Sequence, residues 1–177
     1  MELEKAINGR RSVREYQDKE VPESSVKELF SAGAMAPSAM NKQPCHFIVI
    51  SSQKKMGELS EKVKSILGME ERLAQRMKSK EDVIFYSAPL LIAIVAEKND
   101  WAAADTSLAA QNMMLRAYDL GLGSCFIGFA NSLNRDRETL RSLGMEDSQE
   151  LFCPLIFGYP KSWPEPKTRE AKIQKRI

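Results

Sequence analysis

The run Pro89-Leu-Leu-Ile-Ala-Ile-Val-Ala96 contains no polar side chain, and it constrains the fold more than any other segment. A strand wetted on one side alternates polar with apolar residues, whereas an unbroken apolar strand is covered on both faces. The run is far too short to span a bilayer, which takes about 20 apolar residues in a helix. The rest of the chain must therefore place one layer against each side of this strand. With 177 residues, 43% of them apolar, it can do so as a single domain without disulfide or metal staples.

Helical periodicity supplies the candidate layers. Leu3, Ala6 and Ile7 predict a short opening helix that ends at Gly9. Residues 23–35 predict a helix with Val26, Leu29, Phe30 and Gly33 on one face, stopped by Pro37. Phe47 to Ile50 reads as a strand, and Met56, Leu59, Val63, Ile66 and Leu67 mark a helix over 54–67. The charged stretch 69–82 is expected to be a solvated helix or an excursion. Asn99 or Asp100 is placed to cap a helix that runs to about Leu120 and holds Ala102, Ala103, Ala104, Ala109 and Ala110. A helix so poor in charge before Arg116 belongs in the core or at a subunit interface. Gly121 to Gly128 reads as a glycine-punctuated strand, 134–143 as a charged helix ended by Gly144, and Leu151 to Phe157 as the last strand. From Lys161 onward the tail has no core of its own. The pattern is that of an α+β protein, with helices sandwiching a small sheet.

Charge and cysteine usage exclude several classes of function. With 26 basic and 24 acidic residues the net charge is only +2, which argues against a general nucleic-acid binder, so any anion site is local. Cys45, Cys125 and Cys153 are odd in number, far apart and set in apolar runs, as expected of buried thiols in a reducing compartment. The start Met-Glu-Leu-Glu-Lys lacks the apolar core of a signal peptide, and a cytoplasmic location is expected. His46, the single histidine, cannot build a metal site alone.

Two segments concentrate groups that bind ligands. Gly9-Arg-Arg-Ser-Val-Arg-Glu-Tyr16 sets Arg10, Arg11 and Arg14 around the Ser12 hydroxyl. Guanidinium forks match phosphate oxygens, although a short basic patch is by default only a solvated surface. Ala36-Pro-Ser-Ala-Met-Asn-Lys-Gln-Pro44 lies between a helix and a strand and presents Ser38, Asn41 and Gln43. Gly121-Leu-Gly123 lacks the third glycine and the lysine of nucleotide loops and reads as a helix end leading into a strand. Gly128, at the strand end, is where a backbone could approach a flat ligand. Asp105 inside the alanine-rich helix needs a partner, and a structural hydrogen bond is the default. No acid–base dyad, nucleophile triad or metal cluster emerges, so an enzyme built on this chain would take its reactivity from a cofactor.

In order and spacing, four segments resemble the FMN-dependent nitroreductase family: Arg10 to Tyr16, Ala36-Pro-Ser38 through Phe47, Gly121 to Gly128, and Gly158-Tyr-Pro160 with Pro166-Lys-Thr-Arg169 behind it. The resemblance implies a single domain over 1–177, a three-layer sandwich with a small, mostly antiparallel sheet, and an interlocked homodimer whose tail, about 161–177, packs on the partner subunit. It implies that Arg10, Arg11, Ser12 and Arg14 contact the FMN phosphate and ribityl chain, or the pyrimidine edge of the ring. Lys167 and Arg169 would close on the phosphate, and Pro37, Ser38, Ala39 and Asn41 would meet the flavin of the other subunit at the interface. Ile127 and Gly128 would lie beside the ring, a backbone N–H facing N5. The implied activity is a ping-pong oxidoreductase in which NAD(P)H reduces the flavin and nitroaromatics, quinones or similar planar acceptors reoxidise it. No protein side chain would be catalytic, and no metal, membrane or nucleic acid would be involved. The alternatives are an FMN-binding redox module without turnover, or a dehalogenating or flavin-destroying branch of the family. The chain departs from the family pattern at Cys45, where a tryptophan is common, and its segment 68–87 is short.

Overall fold

The computed structural model describes residues 2–69, 82–165 and 168–177. Its centre is the apolar run, which forms β2 (Leu90–Glu97), buried at every residue except Glu97. β2 lies in a four-stranded sheet of order β1-β2-β4-β3, with β1 spanning His46–Ile50, β3 Gly123–Phe126 and β4 Gln149–Gly158. All three pairings are antiparallel.

The lack of alternation in β2 has the expected cause. Leu91, Ala93 and Val95 point to one side and join Met56, Leu59 and Val63 of α3 (Gln53–Leu67). Leu90, Ile92 and Ile94 point to the other and join Val26 and Leu29 of α2 (Glu23–Ala34), with Ala109, Ala110, Met113 and Ala117 of α4 (Ala102–Asp119). The result is three layers. Each fully buried Ile or Leu contributes about 1.5–3 kcal/mol relative to exposure. Alanines let α4 approach closely. At Gly33 of α2 an added Cβ would sit 3.0 Å from Met113 Cγ and 3.1 Å from the Phe47 ring.

The opening helix α1 (Leu3–Gly9), α2, β1 and α3 follow their sequence patterns closely. Four other elements differ at their ends, each for an identifiable reason. Neither Asn99 nor Asp100 is the cap residue of α4, which is flanked by Trp101; Asn99 Oδ1 instead accepts the Trp101 N–H at 2.9 Å, just ahead of the helix. The expected strand 121–128 shrinks at both ends. Gly121 (φ +74°) belongs to the end of α4, where Leu122 N–H donates to Ala117 O at 2.8 Å. At the other end Ile127 faces Pro154, which offers a carbonyl (2.9 Å) but has no N–H, so the ladder stops and the chain turns away. The expected helix over 134–143 is a 3-10 segment, Gly128–Arg135, followed by α5 (Arg137–Ser142). Asp136 divides them because its side chain caps α5, accepting from Thr139 N–H at 3.1 Å. β4 starts earlier than expected and carries an irregularity, since Ile94 pairs with Cys153 but Val95 with Leu151. Asn131 and Asn134 satisfy the displaced backbone there, taking up Phe152 O, Leu151 O and Leu151 N–H. The charged stretch 69–82 falls almost wholly outside the described residues.

No helix among the described residues is long and apolar enough to cross a membrane.

Candidate cofactor site

The arginine segment is fastened to the free edge of β3. Val13 N–H donates to Ser124 O at 3.0 Å, and Ser12 bridges Ser124 in parallel sense. Val13 is fully buried against Gly123, where an added Cβ would lie 2.7 Å from Val13 Cγ2. Glycine is required there by close approach. Farther on, Tyr16 bridges Pro160 and its hydroxyl donates to Val13 O at 2.8 Å. Burial first of all raises the Tyr16 phenol well above its ordinary range, so it stays a neutral donor. Extended backbone sends Val13 into the core and turns its neighbours Ser12 and Arg14 away from it.

Three guanidinium groups gather beside this edge. Arg10 is half-buried and lowered from its ordinary pKa, first by desolvation and then by the charges of Arg169 and Arg11. The tail thus returns to the N-terminal cluster, with Trp163 packed edge-on against Tyr118 of its own chain at 4.8 Å between centroids. Arg11 Nη1 donates to Asn8 O (2.8 Å) and Arg10 O (2.7 Å), while its Nε is buried with no hydrogen-bond partner. The neighbouring Cys125 thiol is raised by burial, an effect that Arg14 and the Ser12 hydroxyl partly offset.

Arg14 acts on the Cys125 thiol together with Arg10. It also lines a cavity of about 210 Å³ with Tyr86, Phe126, Ile127, Gly128 and Phe129. Its guanidinium carbon is 5.9 Å from the Tyr86 ring centroid, within cation–π range. Tyr86 and Ser87 both have left-handed backbone (φ +56° and +49°), a strained state for residues with side chains. Asp82 pins the turn that leads into them, its Oδ1 accepting from Ile84 N–H (3.0 Å), Phe85 N–H (2.9 Å) and the Ser60 hydroxyl (2.8 Å). Among the described residues, an added Cβ on Gly128 would touch only the Phe126 ring, at 3.6 Å. The described residues therefore leave room beside Gly128.

The second segment is built differently. After Ser38 the loop makes one 3-10 turn, Ala39–Asn41, and Met40, Asn41 and Gln43 all have positive φ (52°, 53° and 49°). Left-handed backbone costs roughly 1–2 kcal/mol for a residue with a Cβ, less for asparagine. Side chains hold the strain in place. Ser38 Oγ accepts from Gln43 N–H at 2.9 Å, and Asp105 Oδ1 accepts from Ala39 N–H at 3.0 Å. Asp105, expected to need a partner, has one in this loop. Pro37, Ser38 and Asp105 form the wall between a cavity of about 130 Å³, reaching Cys45 and Phe47, and an apolar groove of about 500 Å³, reaching Met40, Trp101 and Leu108. The Cys45 thiol is pushed up to about 11, by burial first and then by the Asp105 charge.

A profile of the nitroreductase family matches residues 7–159. The chain belongs to the nitroreductase family. Its solved relatives include a nitroreductase with bound FMN from Bacteroides fragilis, 31% identical, covering all of this chain and 99% of that one with a TM-score of 0.88. A nitroreductase with bound FMN from Desulfitobacterium hafniense shares the fold, with a TM-score of 0.84 over 96% and 95% of the two chains at 22% identity. An archaeal relative from Methanothermobacter thermautotrophicus, provisionally named an NADH dehydrogenase/NAD(P)H nitroreductase, is 29% identical over all of this chain and 86% of its own length.

Within this nitroreductase-family chain the residues singled out in the sequence form two groups. Arg10, Arg11 and Arg169 form one electrostatic cluster, Ser12 lies at Cys125, and Arg14, Ile127 and Gly128 share one cavity. Pro37, Ser38 and Ala39 line the other cavities, which have no residue in common with the Arg14 cavity. Asn41 Oδ1 accepts from Gln43 Nε2 at 3.3 Å. Lys167 lies outside the described residues. The aromatic wall of Tyr86, Phe126 and Phe129 is the feature sequence reasoning missed. Its one local signal is Asp82, which is spaced to hold the N–H groups two and three residues on.

Proposed function

We propose that this chain binds FMN between two copies of itself and acts as an NAD(P)H-dependent oxidoreductase on nitroaromatics, quinones or similar planar acceptors. The observation that carries the reading is the convergence of Arg10, Arg11 and Arg169 beside the cavity of Arg14 and Gly128. Crowded cations repel, and a phosphate dianion relieves that repulsion while accepting from several guanidinium donors. The buried Arg11 Nε lacks a protein partner, so the donor set fits such a group.

Arg10, Arg11, Ser12, Arg169 and Lys167 would hold the phosphate and ribityl end. Arg14 would face the ring, where a fixed positive charge favours an electron-rich flavin. The backbone of Ile127 and Gly128 would lie along the ring edge. When bound, FMN would supply the hydride- and electron-transfer chemistry that links NAD(P)H to the acceptor. The chain's task is to orient ring and acceptor and to limit water, with Tyr86, Phe126 and Phe129 as the apolar walls.

A second copy is part of the reading because Pro37, Ser38, Ala39 and Asn41 do not share the Arg14 cavity within one chain. The outer face of α4 supports it, with Ala103, Ala104, Ser107 and Leu108 exposed beside an exposed Trp101 and Met40. The test is direct. Purified protein should be yellow, its flavin absorbance should bleach under NADH or NADPH, and a quinone or nitroaromatic should restore it. Protein that stays colourless with excess FMN overturns the reading.

A further inference from the structure

A carboxylate is a costly choice for the buried face of an alanine-rich helix. Asp105 is only 6% exposed, and an apolar residue there would carry no desolvation penalty. Its place in the first turn of α4, near the positive end of the helix dipole, reduces that cost without giving the carboxylate a task. The task is visible in the contact. Asp105 Oδ1 takes the N–H of Ala39, 66 residues earlier in the chain, at the start of the one turn in the loop. Three of the next four residues, Met40, Asn41 and Gln43, have left-handed backbone, and Ser38 Oγ closes the same loop onto Gln43 N–H. Among the described residues, the other hydrogen bonds of 38–43 stay within the loop. Asp105 also lines both cavities on either side of Pro37 and Ser38, so it sits directly behind the surface those residues present.

We propose that Asp105 is a positioning residue for the cofactor: by accepting the Ala39 N–H it holds the strained 37–43 loop in the shape that meets the flavin. This rests on the reading that residues 37–41 contact FMN. Asp105 touches neither flavin nor acceptor in this role. It pre-pays the ordering of a loop that binding would otherwise have to order, and that ordering appears as affinity. If the loop serves the flavin of the second copy, the loss from an Asp105 variant falls on the partner's site.

The test pairs FMN affinity, read by quenching of flavin fluorescence on stripped protein, with hydrogen exchange at the Ala39 amide. D105L cannot accept a hydrogen bond and should lose Ala39 protection and bind FMN at least about tenfold more weakly. D105N keeps an acceptor oxygen without the charge and should retain protection and stay within about threefold of wild type. A39P removes the donor instead, and proline is tolerated at the first position of a helical turn after an extended residue, so it should match the D105L loss even if D105L folds poorly. Co-expressing D105L with R10A as differently tagged copies should restore one tight FMN site per mixed dimer.

Wild-type affinity in D105L or A39P overturns the proposal, and so does a D105N loss equal to that of D105L. A mixed dimer with no restored site overturns action across the interface. Wild-type protein that binds no FMN overturns the cofactor reading and the positioning role with it, while exchange at Ala39 still decides whether the hydrogen bond holds the loop.

Discussion

The arginine segment and the 37–43 loop reach their places by opposite means. Residues 10–16 are pinned by backbone pairing to β3 and by Val13 packing on Gly123, so their geometry is inherited from the sheet. Residues 37–43 make no sheet pairing. They hold three left-handed residues in place with two side-chain acceptors of backbone N–H groups, Ser38 and Asp105. A segment tied to a sheet moves only if the sheet does, whereas a strained loop responds to one missing acceptor. Charge is thus presented rigidly and shape conditionally.

The strongest way to break this contrast is at Gly123. Gly123→Ala places a Cβ within 3 Å of three Val13 atoms, so the arginine segment must lift from β3. Overpacking of this kind costs about 1–3 kcal/mol, which should lower the melting temperature by roughly 3–10 °C in a chain of this size. FMN affinity should fall in parallel, and a variant that melts and binds like wild type would show that the segment is not held by the sheet. Next in size is Arg10→Ala, which should weaken FMN by about 1.5–3 kcal/mol at low salt with little change in melting temperature. Isothermal titration of the stripped protein measures it, and equal affinity would remove Arg10 from the phosphate group. Arg14→Ala should chiefly lower the flavin midpoint potential, since Arg14 lines the aromatic cavity beside Ile127 and Gly128.

At the loop the sign changes. Met40→Gly relieves a positive φ and should stabilise the protein by up to about 1 kcal/mol while loosening the loop, so melting temperature and FMN Kd rise together. A stabilised variant with unchanged Kd would show that the strain has no role in binding.

The smallest effect concerns the two thiols. Cys45, raised to about 11 by burial and then Asp105, should react with iodoacetamide at a rate that climbs until about pH 11. Its folded-state value lies above the unfolded one. The neutral thiol therefore contributes stability fully below the unfolded value, near 9.0, and loses it as pH rises through about 11. D105N should shift the Cys45 rate profile to lower pH and leave that of Cys125, which answers to Arg14 and Ser12, in place.

How much of this could be read beforehand follows from how local each cause is. The three layers were legible because β2 lacks alternation and α2, α3 and α4 carry clean periodicity. The end of β3 was not, because Pro154, 27 residues after Ile127, removes its next ladder partner. Likewise the division at Asp136 needed a choice between capping and continuing a helix, and the β4 irregularity depends on Asn131 and Asn134 lying across it. In the site, every residue type was visible, yet the cavity that Arg14 lines was not, since Tyr86 lies far along the chain from Phe126 and Phe129.

The sequence by itself determined that a fully apolar strand needs two covers, and that arginines crowd into positions 10–14 and polar side chains into 38–43. These depend on residue type and short spacing, which act within a few residues. Only the tertiary structure decided that Arg169 returns to Arg10, that Asp105 grips Ala39, and that Tyr86, Phe126 and Phe129 wall the Arg14 cavity. Those contacts join residues dozens of positions apart, and only the packing of the three layers brings them within reach.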